Sequence, residues 1–194
     1  MKLELPFSPL IKAAQPKPQI QFPLNTNVFG IKRILIFLIF VGIFTASYAV
    51  GAKTPVSDKD ALDFLEEFNS TVEGIDPFGI FANNASVGLP MFIPGFGIAW
   101  GMYTGGSTGI AFSALSTTIP ELQNISALAI LYSSPFGLME LGAYSLGMSR
   151  SFLLIHSIIK KISIKAQLRP TAIEIGIAIG LLLAGGFIEH SMMG

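Results

Sequence analysis

Two carboxylates lie within long apolar stretches of this 194-residue sequence, and they are its best candidates for chemistry. Glu140 follows an interruption at Pro135-Phe136-Gly137, and Ala143 falls on the same face of the predicted helix. Glu174 lies near the start of the last apolar stretch. An acid inside a bilayer is costly and usually faces the interior of a helix bundle. The predicted polar node comprises Glu140, Pro135, Gly137, Ala143, Glu174, Asn83 and Asn84.

The polar residues of this node each have two interpretations. Glu140 is either a proton or ion site, or an uncharged, hydrogen-bonded side chain that joins two helices. Glu174 is either a second intramembrane acid or a side chain that merely reaches the inner interface. Asn83 and Asn84 open a predicted helix, where capping of the backbone is favoured over ligand binding. For Glu140, no partner lysine, arginine or aspartate is predicted elsewhere in the spans.

Small residues recur at every fourth position in two apolar stretches. Such spacing lets helix backbones approach closely in a membrane. In the last stretch the repeat favours packing inside the protein, with a subunit interface as the alternative. The earlier repeat crosses a turn that is predicted at residues 104–107. The two repeats are Ala172, Gly176, Gly180 and Ala184, and Gly97, Gly101, Gly105 and Gly109.

Other kinds of chemistry have little support in the sequence. The chain has no cysteine, and its two histidines, His156 and His190, are predicted on opposite sides of the membrane. Neither a metal-ligand spacing nor a serine–histidine–aspartate set is present in the sequence. We therefore predict a non-enzymatic protein without a cofactor. The formal net charge of zero gives no reason to expect a nucleic-acid partner.

Composition and charge place these residues in a membrane. The chain is 51% hydrophobic and only 12% charged, whereas soluble domains carry about 25% charged residues. Ten of the twelve basic residues lie in segments 1–33 and 150–170, and seven acids lie in segment 53–77. Because positive loops stay in the cytoplasm, the N-terminus is predicted inside the cell membrane and the C-terminus outside.

The predicted fold is all-α, a polytopic membrane protein of about five transmembrane helices with a broken fourth helix. Residues 1–30 form a cytoplasmic N-terminal tail, and residues 31–194 form a single helical membrane domain. Segment 53–77 is an acidic outer loop with a short amphipathic helix at 57–68. Segment 150–170 is a basic inner amphipathic segment, with its helix at 151–167. The predicted spans are 34–52, 78–103, 105–119, 125–149 and 171–187.

The order of these features resembles the stage II sporulation protein M family over roughly residues 30–190. The likeness rests on Pro135-Phe136-Gly137-Leu138-Met139-Glu140-Leu141-Gly142-Ala143, on Asn83 and Asn84, and on Gly105, Gly106 and Gly109. Phe136 replaces the histidine of the family motif. The resemblance implies five spans and a role in a membrane assembly that coordinates wall-degrading partners during engulfment of the forespore. It implies no catalytic residue.

These features together predict a non-enzymatic integral membrane scaffold. One alternative is an accessory subunit of a larger membrane enzyme complex, and another is a small transporter or channel that uses Glu140. The expected partners are membrane lipid and either other integral membrane proteins or further copies of the chain.

Overall fold

The computed structural model describes residues 30–193, so the predicted N-terminal tail lies outside the described residues except for Gly30. All regular secondary structure in this range is helical, and the all-α prediction is confirmed. The seven α-helices of the described range are α1 Ile31–Gly51, α2 Asp58–Val72, α3 Pro77–Gly88, α4 Phe96–Thr118, α5 Ala127–Ser133, α6 Pro135–Ile159 and α7 Lys165–Met193.

Two helices in the described range, α1 and α7, are long and apolar enough to cross a membrane. The 21 residues of α1 extend about 32 Å, close to the thickness of a bilayer core. The 29 residues of α7 begin at Lys165, so Pro170 lies inside the helix, whereas the predicted span began after it, at residue 171. Pro170 lies in the second turn, where the missing N–H deprives only one carbonyl of its helical partner.

The chain reverses between α3 and α4, and the predicted turn at residues 104–107 is wrong. After α3, a short 3-10 segment at Leu89–Phe92 leads to Gly95, whose φ of 78° lies in the left-handed region that favours glycine. Pro90 and Pro94 lack backbone N–H groups, and they flank the point at which the helix stops. The predicted second span, 78–103, is therefore divided at this reversal, and α4 continues through Gly105 and Gly106.

The glycine repeat of α4 permits close contact with neighbouring backbone. Its members Gly97, Gly101, Gly105 and Gly109 are all buried. A Cβ atom on Gly109 would overlap the carbonyl oxygen of Tyr48, and one on Gly105 would lie 3.1 Å from the carbonyl oxygen of Phe44. From the first contact to the second, the residue number decreases in both helices. The α1 and α4 helices therefore run in the same direction.

The acidic segment forms α2, which confirms the predicted amphipathic helix at 57–68 and extends it. Ser57 caps the helix, because its Oγ accepts from the backbone N–H of Asp60 at 3.2 Å. Ala61 is buried against the bundle, and α2 packs on α4. The aspartates and glutamates of this helix are exposed, so its acidic face is directed away from the bundle.

The break in the fourth predicted span is confirmed, but the predicted end of that span, at residue 149, is wrong. Between α5 and α6, Ser134 caps α6 by accepting from the backbone N–H of Gly137 at 3.2 Å. The helix then runs to Ile159 instead of ending at residue 149. The separate amphipathic helix predicted at 151–167 is wrong, because Leu153 and Leu154 are buried and continue the packed face of α6. The reversal falls between Ile159 and Lys165.

The core of the bundle lies where α1, the 3-10 segment, α6 and α7 meet. The α6 and α7 helices form an antiparallel hairpin, and α3 packs beside α7. The buried apolar core consists of Phe40, Phe44, Ala85, Met91, Phe92, Leu141, Ala143, Tyr144, Met148, Ala178 and Leu182. This apolar layer separates two groups of polar side chains.

Candidate functional site: two polar groups inside the bundle

The first polar group is a cluster of four buried side chains, Arg33, Arg150, Gln167 and Glu174, which we call the arginine–glutamate cluster. Their exposed fractions are 3%, 1%, 5% and 0%, respectively. The cluster joins three helices, since Arg33 lies in the first turn of α1, Arg150 in the middle of α6, and Gln167 and Glu174 in α7.

Each arginine donates two hydrogen bonds to the Glu174 carboxylate, from two different nitrogens. Arg33 donates from Nε to Glu174 Oε1 and from Nη2 to Oε2, both at 2.7 Å. Arg150 donates from Nε to Oε2 at 2.7 Å and from Nη2 to Oε1. Its Nη1 donates to Gln167 Oε1 at 3.2 Å. Such paired contacts match the planar guanidinium fork to a carboxylate and are among the strongest hydrogen bonds in proteins.

The charges of this cluster do not balance. Two guanidinium groups face one carboxylate, so the cluster carries an excess of one positive charge. The Nη1 atom of Arg33 is buried and has no hydrogen-bond partner among the described residues. A buried donor without a partner is costly, and a buried charge more so. The cluster therefore has both the charge and the free donor to attract an anion.

Sequence reasoning missed this cluster. The suggestion that Glu174 merely reaches the interface is wrong, because this side chain is buried and ion-paired with two arginines. A signal was present in the predicted topology. Arg33, Arg150 and Glu174 were each assigned to the inner end of a different span, so they stood at the same depth. What the sequence did not reveal is that α6 continues past Arg150 and buries it.

The second polar group is a pair formed by Asn84 and Glu140. Asn84 lies within α3 and donates from Nδ2 to Glu140 Oε1 of α6 at 2.5 Å. Asn84 therefore joins two helices and does not cap α3, contrary to the prediction. The cap of α3 is Asp76, whose carboxylate accepts from the backbone N–H of Gly79 at 2.7 Å. Asn83 is exposed, and among the described residues its side chain hydrogen-bonds only to Asn84, donating from Nδ2 to Oδ1 at 3.4 Å.

The remaining residues of the predicted polar node shape the helix that carries Glu140. Pro135 is the first residue of α6, and Gly137 lies against Ser134 so closely that a Cβ atom would overlap the serine Oγ. Ala143 is 1% exposed and belongs to the apolar core. The structure does not bring Glu140 and Glu174 together, because they contact different residues and lie on either side of the core.

The small residues of α7 form an exposed stripe. Ala172, Gly176, Gly180 and Ala184 are all exposed, and a Cβ atom on Gly176 or Gly180 would meet nothing within 4 Å. We call these four residues the small-residue face of α7. The predicted packing of this face inside the protein is wrong for the described residues. The helix instead buries its opposite side, which contains Glu174, Ala178, Leu182, Gly185 and Gly186.

Other site types have no counterpart in residues 30–193. Within that range, histidines and carboxylates form no group of three that could hold a metal ion. Comparison of the chain with protein-family models, curated proteins and solved structures finds no match.

Proposed function

We propose that this protein is a non-enzymatic scaffold of the cell membrane that holds another integral membrane protein against the small-residue face of α7. The observation that carries the proposal is the openness of that face. Its residues have the four-residue spacing that favours close helix packing in lipid. The bundle leaves this spacing unused, since no described residue lies within 4 Å of a Cβ placed on Gly176 or Gly180.

The proposal includes five spans that alternate in direction. We assign them to α1, to α3 with its 3-10 segment, to α4, to α5 with α6, and to α7. Three observations support this arrangement: α1 and α4 run in the same direction, α6 and α7 form an antiparallel hairpin, and α3 packs beside α7. With the positive-inside rule, the start of α1 and the α6–α7 hairpin lie in the cytoplasm, and α2 lies outside.

Rigidity of the bundle also suits a scaffold. The arginine–glutamate cluster fixes α1, α6 and α7 to one another, and the Asn84–Glu140 pair fixes α3 to α6. A rigid support can present one helix face in a constant orientation. The resemblance to the stage II sporulation protein M family points the same way, since members of that family belong to a membrane assembly.

The test is purification of the full-length chain in mild detergent, followed by mass spectrometry of the proteins that remain bound. The wild type is compared with Gly176→Leu/Gly180→Leu, which fills the small-residue face. Gly42→Leu is the matched control, because Gly42 is also an exposed helical glycine with no atom within 4 Å of an added Cβ. We expect a membrane protein to copurify with the wild type and the control and to be lost from the double variant.

The identity of the bound protein separates the remaining possibilities. Enzyme subunits in fixed proportion would make the chain an accessory subunit of an enzyme complex. Further copies of the chain alone would make the face a homo-oligomeric contact. Equal recovery from all three preparations would contradict docking through this face.

A second candidate function, that of a small transporter or channel, is favoured by one observation at Glu140. Its side chain is only partly buried, and its single hydrogen bond to another described residue engages one of its two oxygens. The other oxygen is therefore available to a proton or a cation. For this function, Glu140→Ala abolishes ion-coupled flux in proteoliposomes and leaves the bundle folded. Loss of folding in that variant would instead identify Glu140 as a residue that joins α3 and α6.

A further inference from the structure

The amino-terminal end of α1 combines several features that attract anions. Gly30 occupies the capping position, and within residues 30–193 no side chain caps the helix. The first turn contains no acidic residue but does contain Lys32 and Arg33. Cations at this end of a helix are unfavourable, because the backbone dipole and the free N–H groups already make it positive.

The arginine–glutamate cluster supplies an independent observation. Arg33 is 97% buried, given its 3% exposure, yet its Nη1 has no hydrogen-bond partner among the described residues. The Glu174 carboxylate cannot serve this nitrogen as well, since its two oxygens already accept four hydrogen bonds from the two arginines. The unused donor belongs to Arg33, which lies in the first turn of α1, and the excess positive charge belongs to the cluster that contains Arg33.

We infer that the amino-terminal end of α1 binds a phosphate-type oxyanion between Lys32 and Arg33. Helix N-termini bind phosphate through free backbone N–H groups, and arginine provides a planar fork for its oxygens. The anion offsets the surplus charge of the cluster and gives Arg33 Nη1 an acceptor. Two sources share this chemistry: the headgroup of an anionic phospholipid and free inorganic phosphate. The inference is independent of the proposed scaffold role, which depends on the opposite face of α7.

The full-length protein is placed in nanodiscs of phosphatidylcholine that contain a graded fraction of phosphatidylglycerol. After the protein is released from the nanodiscs, native mass spectrometry measures the phosphatidylglycerol that remains bound to it. The variant Lys32→Gln/Arg33→Gln removes the site. The variant Lys160→Gln/Lys165→Gln removes the same charge from two exposed lysines at the α6–α7 reversal. We expect the first variant to bind phosphatidylglycerol about tenfold more weakly and the second to change by less than about twofold.

Two further measurements identify the source of the anion and separate loss of binding from loss of the fold. Inorganic phosphate is titrated against bound phosphatidylglycerol, and displacement at millimolar concentration identifies free phosphate as the ligand, whereas no displacement identifies the lipid. Lys32→Gln alone changes only an exposed side chain, so the fold is retained, and it should still weaken binding. Equal weakening by both double variants, or no weakening by Lys32→Gln, would overturn the inference.

Discussion

Removal of the Glu174 carboxylate leaves two buried guanidinium groups without the negative charge that they share. We expect Glu174→Gln to lower the free energy of unfolding by about 3–5 kcal/mol, because a buried charge that loses its partner is strongly destabilising. Thermal denaturation in detergent measures the change. Glu189→Gln is the control, since it removes a partly buried carboxylate from the same helix where no described basic group pairs with it. Equal midpoints for the two variants would contradict a structural role for the cluster.

At the residue scale, the sequence identified the acids but not their partners. Glu140 and Glu174 stand out because an acid in an apolar stretch must be accommodated. Asn84 was noticed for its position, yet its partner Glu140 is 56 residues away, and a contact at that separation depends on how α3 and α6 pack. Arg33 and Arg150 were predicted at the inner ends of spans. Their burial depends on the extension of α6, which no neighbouring residue in the sequence indicates.

The two glycine repeats have the same spacing but different surroundings. On α4, a Cβ atom at Gly109 would overlap the Tyr48 carbonyl oxygen, whereas on α7 a Cβ atom at Gly176 would meet nothing within 4 Å. Gly109→Ala should therefore destabilise the protein by about 1–3 kcal/mol through overpacking. Gly176→Ala should stabilise it by up to about 1 kcal/mol, because alanine is the better helix former. Denaturation midpoints in detergent test both signs. A stable Gly109→Ala protein would contradict the close approach of α1 and α4.

At the element scale, sequence reasoning succeeded where a chemical signal marks a helix end. The start of the helix predicted at residue 57 and the Pro135-Phe136-Gly137 break were recognisable because a side-chain cap and a proline act locally. The α3–α4 reversal was misplaced because two adjacent glycines, Gly105 and Gly106, resemble a turn as much as they resemble a packing face. Only contact with α1 decides between those interpretations, and that contact is not local.

The proposed topology makes a prediction for the molecule as a whole. The chain has no cysteine, so single cysteines can be introduced without background. We expect a membrane-impermeant maleimide added to intact cells to label a cysteine at Glu67 of α2, and to label one at Lys160 only after the cells are opened. Both native side chains are exposed, so burial does not limit the reaction. Labelling of position 160 in intact cells would contradict the five-span arrangement.

The all-helical fold could be predicted from the sequence, but the outward-facing surface of the molecule could not. Low charge content and segregated lysines and arginines predict a helical membrane protein with a defined orientation. The same hydrophobicity appears on sides of α7 that face the core and on sides that do not. The side that packs inward contains Glu174, which both arginines bind, and the small-residue face lies on the other side of the helix.

The scaffold role depends on whether a protein occupies that outward face in the native membrane. The most direct measurement is photo-crosslinking in intact cells from a benzophenone side chain placed at Gly180, with the same group at Gly42 as the matched position. Both positions are exposed, and an added Cβ would lie within 4 Å of no described residue outside its own helix. We predict a defined protein adduct from position 180 and none from position 42. Adducts with lipid alone at position 180, or the same protein adducts at both positions, would contradict the scaffold role.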